Sequence, residues 1–373
     1  MDDSNIIIIG ANHHNTLSMI RCFGHTGIRI RLLVVGDTDG FVSKSKYVDS
    51  SALFRTAEEA VEHLIRTGGK TKNIVVSCSD DVSSILDQNY NKLKEFYTFF
   101  NCKQEGLVTK WMNKYTQCEK AMEAGLNVPF SALSTSSTLR EWSLFPCIVK
   151  PLASIQGGKS LYVCNNRNEL NNIVSLTSQK CISIIQEKID IKQEIVVLGL
   201  SINNEVYVKG VVFKHREMVG GTTYSTIKGI SSVPGSLVKS CSSLVQSMDY
   251  EGLFGIEFAY DGSDYRFIEI NLRNDATTYA LSAAGVNLPL AYYNYHKGLD
   301  WKSFLEKDVR EIKSMVELRD VILLLKGKIN PFAWLKQRRS AECLYFYDKE
   351  DLVPYKMERN NILKQTRKKL LRF

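Results

Sequence analysis

Glu257, Glu269 and Asn271 crowd into one short stretch, LFGIEFAYDGSDYRFIEINLR, running from Leu253 to Arg273. Two carboxylates and an amide oxygen form an all-oxygen donor set. Such a set suits a hard cation such as Mg²⁺, which usually also binds substrate phosphates. Ile256 and Phe258 flank the first glutamate, and Ile268 and Ile270 the second. A carboxylate in apolar surroundings is costly unless a cation or hydrogen bonds compensate it. The ordinary alternative is a solvated hairpin with both glutamates in water. Lys150 raises the converse question. It is the one charge in Pro146–Pro151, PCIVKP, and either snorkels to solvent or meets an anion.

Bringing the glutamates together makes a demand on the backbone. Phe254–Tyr260 and Tyr265–Asn271 read as strands, with Asp261–Asp264 as the turn. Alternation then places Glu269 and Asn271 on one face. A plain two-residue turn at Gly262 and Ser263 would pair Glu257 with Ile268, on the wrong face. An odd-length loop or a bulge is therefore required.

The rest of the chain supplies a frame. Asn5–Gly10, Ile28–Val35 and Asn73–Cys78 read as buried strands, with helices over Asn15–Gly24 and Ala57–Thr67 between them. This β-α-β opening predicts a parallel sheet. Its first loop, Gly10 to Asn15, lacks G-x-G-x-x-G, which excludes the dinucleotide fingerprint. Asp80 and Asp81 stand at the carboxyl end of a strand, where such sheets tend to bind ligands; a helix-capping, first-turn role is preferred for them. His13 and His14 are candidate ligands or merely solvated loop residues. From Gly106 the character changes. Asn113–Ala124 is an amphipathic helix, Pro146–Pro151 the lysine strand, and Ser154 to Ser160 a loop ending in GKS. A P-loop would need glycine at Ala153 and a helix afterwards, but a strand, Leu161–Cys164, follows, so a Walker motif is excluded. A Gly157-Gly158 turn remains, either ordinary or a flap whose N–H groups cradle phosphates. Strands at Ile182–Gln186, Ile195–Leu200 and Tyr207–Phe213 come next. The polar stretch from Lys214 to Ser232 reads as a functional loop. Val238–Met248, Ala276–Ala284 and Pro289–Lys297 are helical, and from Trp301 onward the pattern is helical and increasingly basic. Lys364, Arg367, Lys368, Lys369 and Arg372 lie among leucines. That tail could meet anionic lipid, but a solvated helix face is preferred.

The 373 residues predict two or three structural units, and the net charge of +8 is compatible with anionic partners. Nine cysteines without a C-x-x-C pair point away from disulfides and zinc and toward a reducing, cytoplasmic setting. No basic stripe with interleaved aromatics supports nucleic-acid binding. The amino-terminal apolar run is too short for a signal peptide, and no run is long enough for a membrane span.

Taken in order, these motifs resemble an ATP-grasp ligase: an α/β pre-domain, a lysine strand, a Gly-rich flap, a Q-E-K hinge and an E…E-x-N hairpin. The E-I-N-x-R form and Ala283–Pro289 resemble the branch of carbamoyl-phosphate synthase, biotin carboxylase and D-aspartate ligase-like enzymes. The resemblance implies ATP and Mg²⁺, or Mn²⁺, as cofactors. It implies that Lys114 and Lys150 contact nucleotide phosphates and that the flap, with Ser154, Gly157, Gly158 and Lys159, closes over them. Glu187, Lys188 and Ile189 would hold adenine and Glu194 the ribose. Glu257, Glu269 and Asn271 would ligate metal, while Arg273, with Lys150, would act on the reacting group. Asn113 departs from a frequent Asp, no A-M-K-M biotinyl site is present, and a single ATP-grasp unit argues against a complete carbamoyl-phosphate synthase. The implied architecture mixes α/β and α+β: a parallel-sheet pre-domain over 1–105 and a two-lobed ATP-grasp domain over 106–300, with lobes at about 106–182 and 183–300. A helical basic extension over 301–373 completes it. The implied reaction is ATP-dependent ligation of a small carboxylate to an amine through an acyl phosphate. The alternatives are carboxylation through carboxyphosphate and a non-catalytic ATP-binding module. A homodimer is compatible with the resemblance.

Overall fold

A computed structural model describes residues 6–68, 72–152, 161–178, 182–218 and 221–370. The amino-terminal sheet contains β1 (Ile6–Gly10), β2 (Ile30–Val35), β3 (Val48–Phe54), β4 (Asn73–Ser77) and β5 (Tyr97–Thr98). They lie in the order β3-β2-β1-β4-β5, all parallel. The isoleucine run of β1 follows from burial on both faces. Ile6 and Ile8 join one apolar core and Ile7 and Ile9 another. The parallel arrangement agrees with the sequence reading; β3, an edge strand with Asp49, Ser50 and Ser51, carries too weak an alternation to be foreseen.

A small antiparallel sheet follows: β6 (Ser131–Leu133), β7 (Cys147–Pro151), β8 (Tyr162–Cys164) and β9 (Ser183–Glu187), in the order β6-β9-β7-β8. It has its own core of Trp142, Cys147, Val149, Leu170 and Ile185. Because β9 pairs with both β6 and β7, this lobe runs through Glu187, beyond the expected boundary at 182. The expected flap, with Ser154, Gly157, Gly158 and Lys159, lies outside the described residues.

The large sheet holds β10 (Gln193–Ile202), β11 (Glu205–Met218), β12 (Gly221–Gly229), β13 (Gly252–Tyr260), β14 (Tyr265–Asn271), β15 (Ile312–Met315) and β16 (Cys343–Leu344). Its order is β14-β13-β10-β11-β12-β15-β16. Two expectations need correction. The stretch from Lys214 to Ser232 is mostly strand: β11 continues to Met218 and β12 returns antiparallel to it. Its serines and threonines read as loop, yet Thr223, Ser225 and Thr226 are buried in the sheet, and Ser225 Oγ bonds Ser314 Oγ at 2.8 Å. The region after Trp301 is likewise not helical throughout, since β15 extends the sheet beside β12 and β16 pairs with β15. This carboxyl-terminal segment is tied to the first domain by Arg21, which is buried. Arg21 donates to the carbonyls of Tyr345 (2.7 Å) and Phe346 (3.0 Å) and to Asp351 Oδ2 (3.3 Å).

Candidate active site

The hairpin meets its demand with a bulge. Phe258 pairs with Phe267 in the register of the plain turn, and Glu257 then pairs with Glu269. Ile268 is the extra residue, so both glutamates and Asn271 share a face. Phe258 and Phe267 occupy the opposite, buried face and anchor the register in the core. Asn271 Nδ2 donates to Glu257 Oε1 at 3.2 Å. Arg273 Nη2 donates to Asn271 Oδ1 at 3.0 Å.

Three other elements bring cations to this face. The helix Lys114–Glu123 is capped by Asn113, whose Oδ1 accepts from Tyr115 and Thr116 N–H. The helix is locked to β14 by Gln117, which donates to the Ile270 carbonyl at 2.9 Å and accepts from the Ile270 N–H at 3.2 Å. That docking places Lys114 against Glu269, with which it forms an ion pair. From β7, Lys150 is 7% exposed and donates to Gln186 Oε1 at 3.0 Å. Burial, and then the nearby charge of Lys114, lower its pKa to about 8. From β11, Lys214 contacts Glu257 at 2.7 Å, Glu194 at 3.0 Å and Glu217 at 3.1 Å. Burial alone would lower the Lys214 pKa, but the three carboxylates raise it. Glu257 titrates above the usual carboxylate range because of burial, with Glu269 and Asp275 adding to the rise against Lys214. In Glu269 the same burial is outweighed by Lys114, Lys150 and Arg273, which hold it low.

Lys114, Lys214, Glu257, Glu269, Asn271 and Arg273 open onto a cavity of about 770 Å³ whose far wall belongs to the first domain; Lys150 does not line it. His13, Asn15 and Asp80 face it there, and Val316 and Tyr345 close it from the carboxyl-terminal segment. Arg273, expected to act on the reacting group, forms an ion pair with Asp80 at 2.7 Å. Asp80 is the first residue of the helix Asp80–Gln88, whose N-cap is Ser79. The first-turn role expected of Asp80 and Asp81 is thus joined by a contact between domains. Asn15, which donates to the carbonyls of Cys78 (2.9 Å) and Asn274 (3.2 Å), reinforces that junction. His13 caps its helix through Nδ1, which accepts from Asn15 N–H at 3.2 Å. Its pKa is lowered to about 4 by burial and by Arg319 and Arg273. It is therefore a neutral wall of the cavity rather than a solvated loop residue.

The remaining candidates are dispersed. Glu187 ends β9, and its Oε1 accepts from the Phe130 N–H at 3.0 Å. Lys188 is exposed, its N–H donates to the Pro146 carbonyl at 3.1 Å, and Ile189 is half-buried. None of the three lines the main cavity. Glu194 borders a second, open cleft of about 370 Å³ that shares Lys214 with the first. Nothing in the sequence pattern pointed to Lys214. Glu194 pairs with it directly and Glu257 lies on the same face by plain register, while Glu217 joins them because β11 bulges at His215, where Lys214 pairs with Ser225 and Arg216 with Tyr224. The bulge turns Glu217 to the face of Lys214. Among the described residues no three His, Cys, Asp or Glu converge as a self-sufficient metal site. Two carboxylates and an amide on one face instead fit a hard cation that shares its coordination with substrate oxygens.

A sheet carrying paired carboxylates, a facing lysine sheet and a parallel-sheet domain closing the cavity define a nucleotide-dependent ligase or carboxylase fold. The family match makes this specific: residues 121–286 match the ATP-grasp domain, and the chain holds an ATP-grasp domain. The fold is similar to that of N5-carboxyaminoimidazole synthetase from Staphylococcus aureus complexed with ADP, with 15% identity and a TM-score of 0.67. That alignment covers 88% of this chain and 86% of the other. It is also similar to an L-amino acid ligase from Bacillus licheniformis, with 15% identity, 84% and 80% coverage and a TM-score of 0.63. Biotin carboxylase from Campylobacter jejuni, in a β,γ-ATP complex, shows 15% identity, 80% and 73% coverage and a TM-score of 0.63. No curated protein matches the sequence. Among the described residues no helix is long and apolar enough to cross a membrane.

Proposed function

We propose that this protein is an ATP-dependent carboxylate–amine ligase, which forms an amide through an acyl phosphate and releases ADP and phosphate. The observation that carries the reading is the bulged pairing of Glu257 with Glu269, with Asn271 on the same face, beside Lys114 and Arg273, which line a two-walled cavity, and with Lys150 close enough to act on the charge of Glu269. Glu257, Glu269 and Asn271 would hold Mg²⁺, which when bound neutralises phosphate charge and orients the γ-phosphoryl group. Lys114 and Lys150 bind the phosphates. Glu187, Lys188 and Ile189 would hold adenine and Glu194 the ribose.

A carboxylate is a poor electrophile. In-line attack of its oxygen on the γ-phosphorus forms one P–O bond as the bond to the β-bridging oxygen breaks, and ADP leaves with that electron pair. Arg273, aimed by Asp80, Asn271 and the Asn274 carbonyl, offers its charge and one remaining Nη1 N–H to the equatorial oxygens or to the acyl carbonyl. A neutral amine then attacks the acyl carbon, the C–O bond to phosphate breaks, and the amine's surplus proton leaves with phosphate or through solvent. This chemistry needs positioning, charge and dryness rather than a protein nucleophile.

The test is ADP release from the purified protein against panels of amino acids and other small carboxylates, paired with amines, with and without bicarbonate. The expected result is release that requires both an acid and an amine and matches amide formation mole for mole. Release that requires bicarbonate would replace the reading with carboxylation. ADP-binding without turnover on any pair would leave a non-catalytic module.

A further inference from the structure

Glu257 and Glu269 do not face the cavity bare. Lys214 Nζ lies 2.7 Å from Glu257, and Lys114 is paired to Glu269. The two ammonium groups come from separate elements, one from a bulged strand and the other from a helix start. They rest on the same oxygens that a divalent cation would need. An ion arriving alone must displace ammonium groups that remain nearby and repel it. A polyphosphate changes both terms: it adds negative charge, and it offers Lys114 another anion in place of Glu269. Lys214 has its own refuge, because Glu194 at 3.0 Å and Glu217 at 3.1 Å can keep its charge paired once Glu257 is surrendered. A lysine with a single carboxylate could not yield it without leaving a poorly solvated charge unpaired.

We propose that Lys214 and Lys114 are internal stand-ins for the divalent cation, so that the site takes metal only together with nucleotide. Lys214 is the positioning residue in this scheme. It bridges Glu194, toward the nucleotide, and Glu257, toward the metal, and its transfer from one to the other couples the two binding events. The proposal rests on the nucleotide-site reading above and adds an order of assembly to it.

Mn²⁺ serves as the probe, with free Mn²⁺ followed by electron paramagnetic resonance in titrations of the full chain. Mn²⁺ is titrated alone and with ADP, against an ADP-only control that removes the Mn²⁺–ADP complex from the signal. In the wild type, ADP is expected to tighten Mn²⁺ binding about tenfold or more, within the usual range of coupling between sites, and Mn²⁺ must tighten ADP by the same factor. Lys214→Met is expected to bind Mn²⁺ without nucleotide about tenfold more tightly than the wild type does, whereas Lys214→Arg stays near the wild type. Equal Mn²⁺ affinity in the wild type with and without ADP overturns the proposal, as does a folded Lys214→Met that gains nothing. Thermal unfolding reports whether the variant folds, and if it does not, the wild-type titrations decide. Absence of Mn²⁺ binding in every arm, ADP included, would instead remove the nucleotide-site reading itself.

Discussion

Arg273 gathers more of the site than its place in the sequence suggests. It lies two residues past Asn271, beyond the end of β14, and its place after the E-I-N run was legible. Its partner Asp80 lies 193 positions away, and no local pattern could have named it. The contact fixes the guanidinium plane, so Arg273→Lys keeps the charge but loses both the fork and the aim. Turnover is expected to fall about 10²-fold or more, the scale of one oriented donor, while ADP affinity measured by calorimetry changes little. Normal turnover would return Arg273 to a purely structural role between domains. Lys150 carries a sharper signature. Its folded pKa of about 8 lies below the 10.5 of a free lysine. Between those values the unfolded chain binds the proton and the folded chain does not, so Lys150 makes stability rise with pH across that window. A phosphate oxygen beside the amine restores the proton. At about pH 9, nucleotide binding should take up roughly one proton, seen as a dependence of the calorimetric heat on buffer ionisation enthalpy. Lys150→Met should abolish it. An unchanged uptake in that variant would place the proton elsewhere.

At the scale of elements, strands and helices with clear periodicity were legible. Ala57–Thr67 and Tyr265–Asn271 have the bounds the sequence implies. What escaped were elements whose character is set by neighbours. β12 buries threonines and serines against β15, and β15 itself is too short to show alternation. Bulges escaped in part. The one at Ile268 was required by the chemistry of two glutamates, but the one at His215 had no such prompt, and Lys214 was missed with it. The tie from Arg21 to the carboxyl-terminal segment was equally invisible. Arg21 and Asp351 are each about 2% exposed, and Asp351 also accepts from Ser45 Oγ at 2.9 Å and from the Lys46 N–H at 3.0 Å. Arg21→Met leaves that carboxylate buried without its cation. Equilibrium denaturation should register a loss of about 3–5 kcal/mol, the scale of a broken buried pair. A loss below about 1 kcal/mol, the scale of an exposed pair, would mean that the segment is held by its apolar contacts alone.

At the scale of the whole molecule, the parallel-sheet domain and the large sheet share the main cavity, the small sheet stands beside it, and each contributes what the others lack. The small sheet brings Lys150, the large sheet the carboxylates and Lys214, and the parallel sheet the wall that holds Arg273 and leaves room for further substrates. The order of these units was legible because each has its own periodicity. How they face one another was not, since it rests on single long-range contacts such as Asp80 to Arg273 and Gln117 to Ile270. The cavity wall mixes acids, amides and neutral histidines, which suits small polar substrates without naming them. The most direct test of ligation follows oxygen. An acid that supports ADP release is labelled with ¹⁸O in its carboxylate, and the phosphate released is analysed by mass spectrometry. Attack of the carboxylate on the γ-phosphorus predicts one ¹⁸O in each phosphate and one retained in the amide. Unlabelled phosphate, or label that enters only from ¹⁸O-bicarbonate, would contradict ligation through an acyl phosphate.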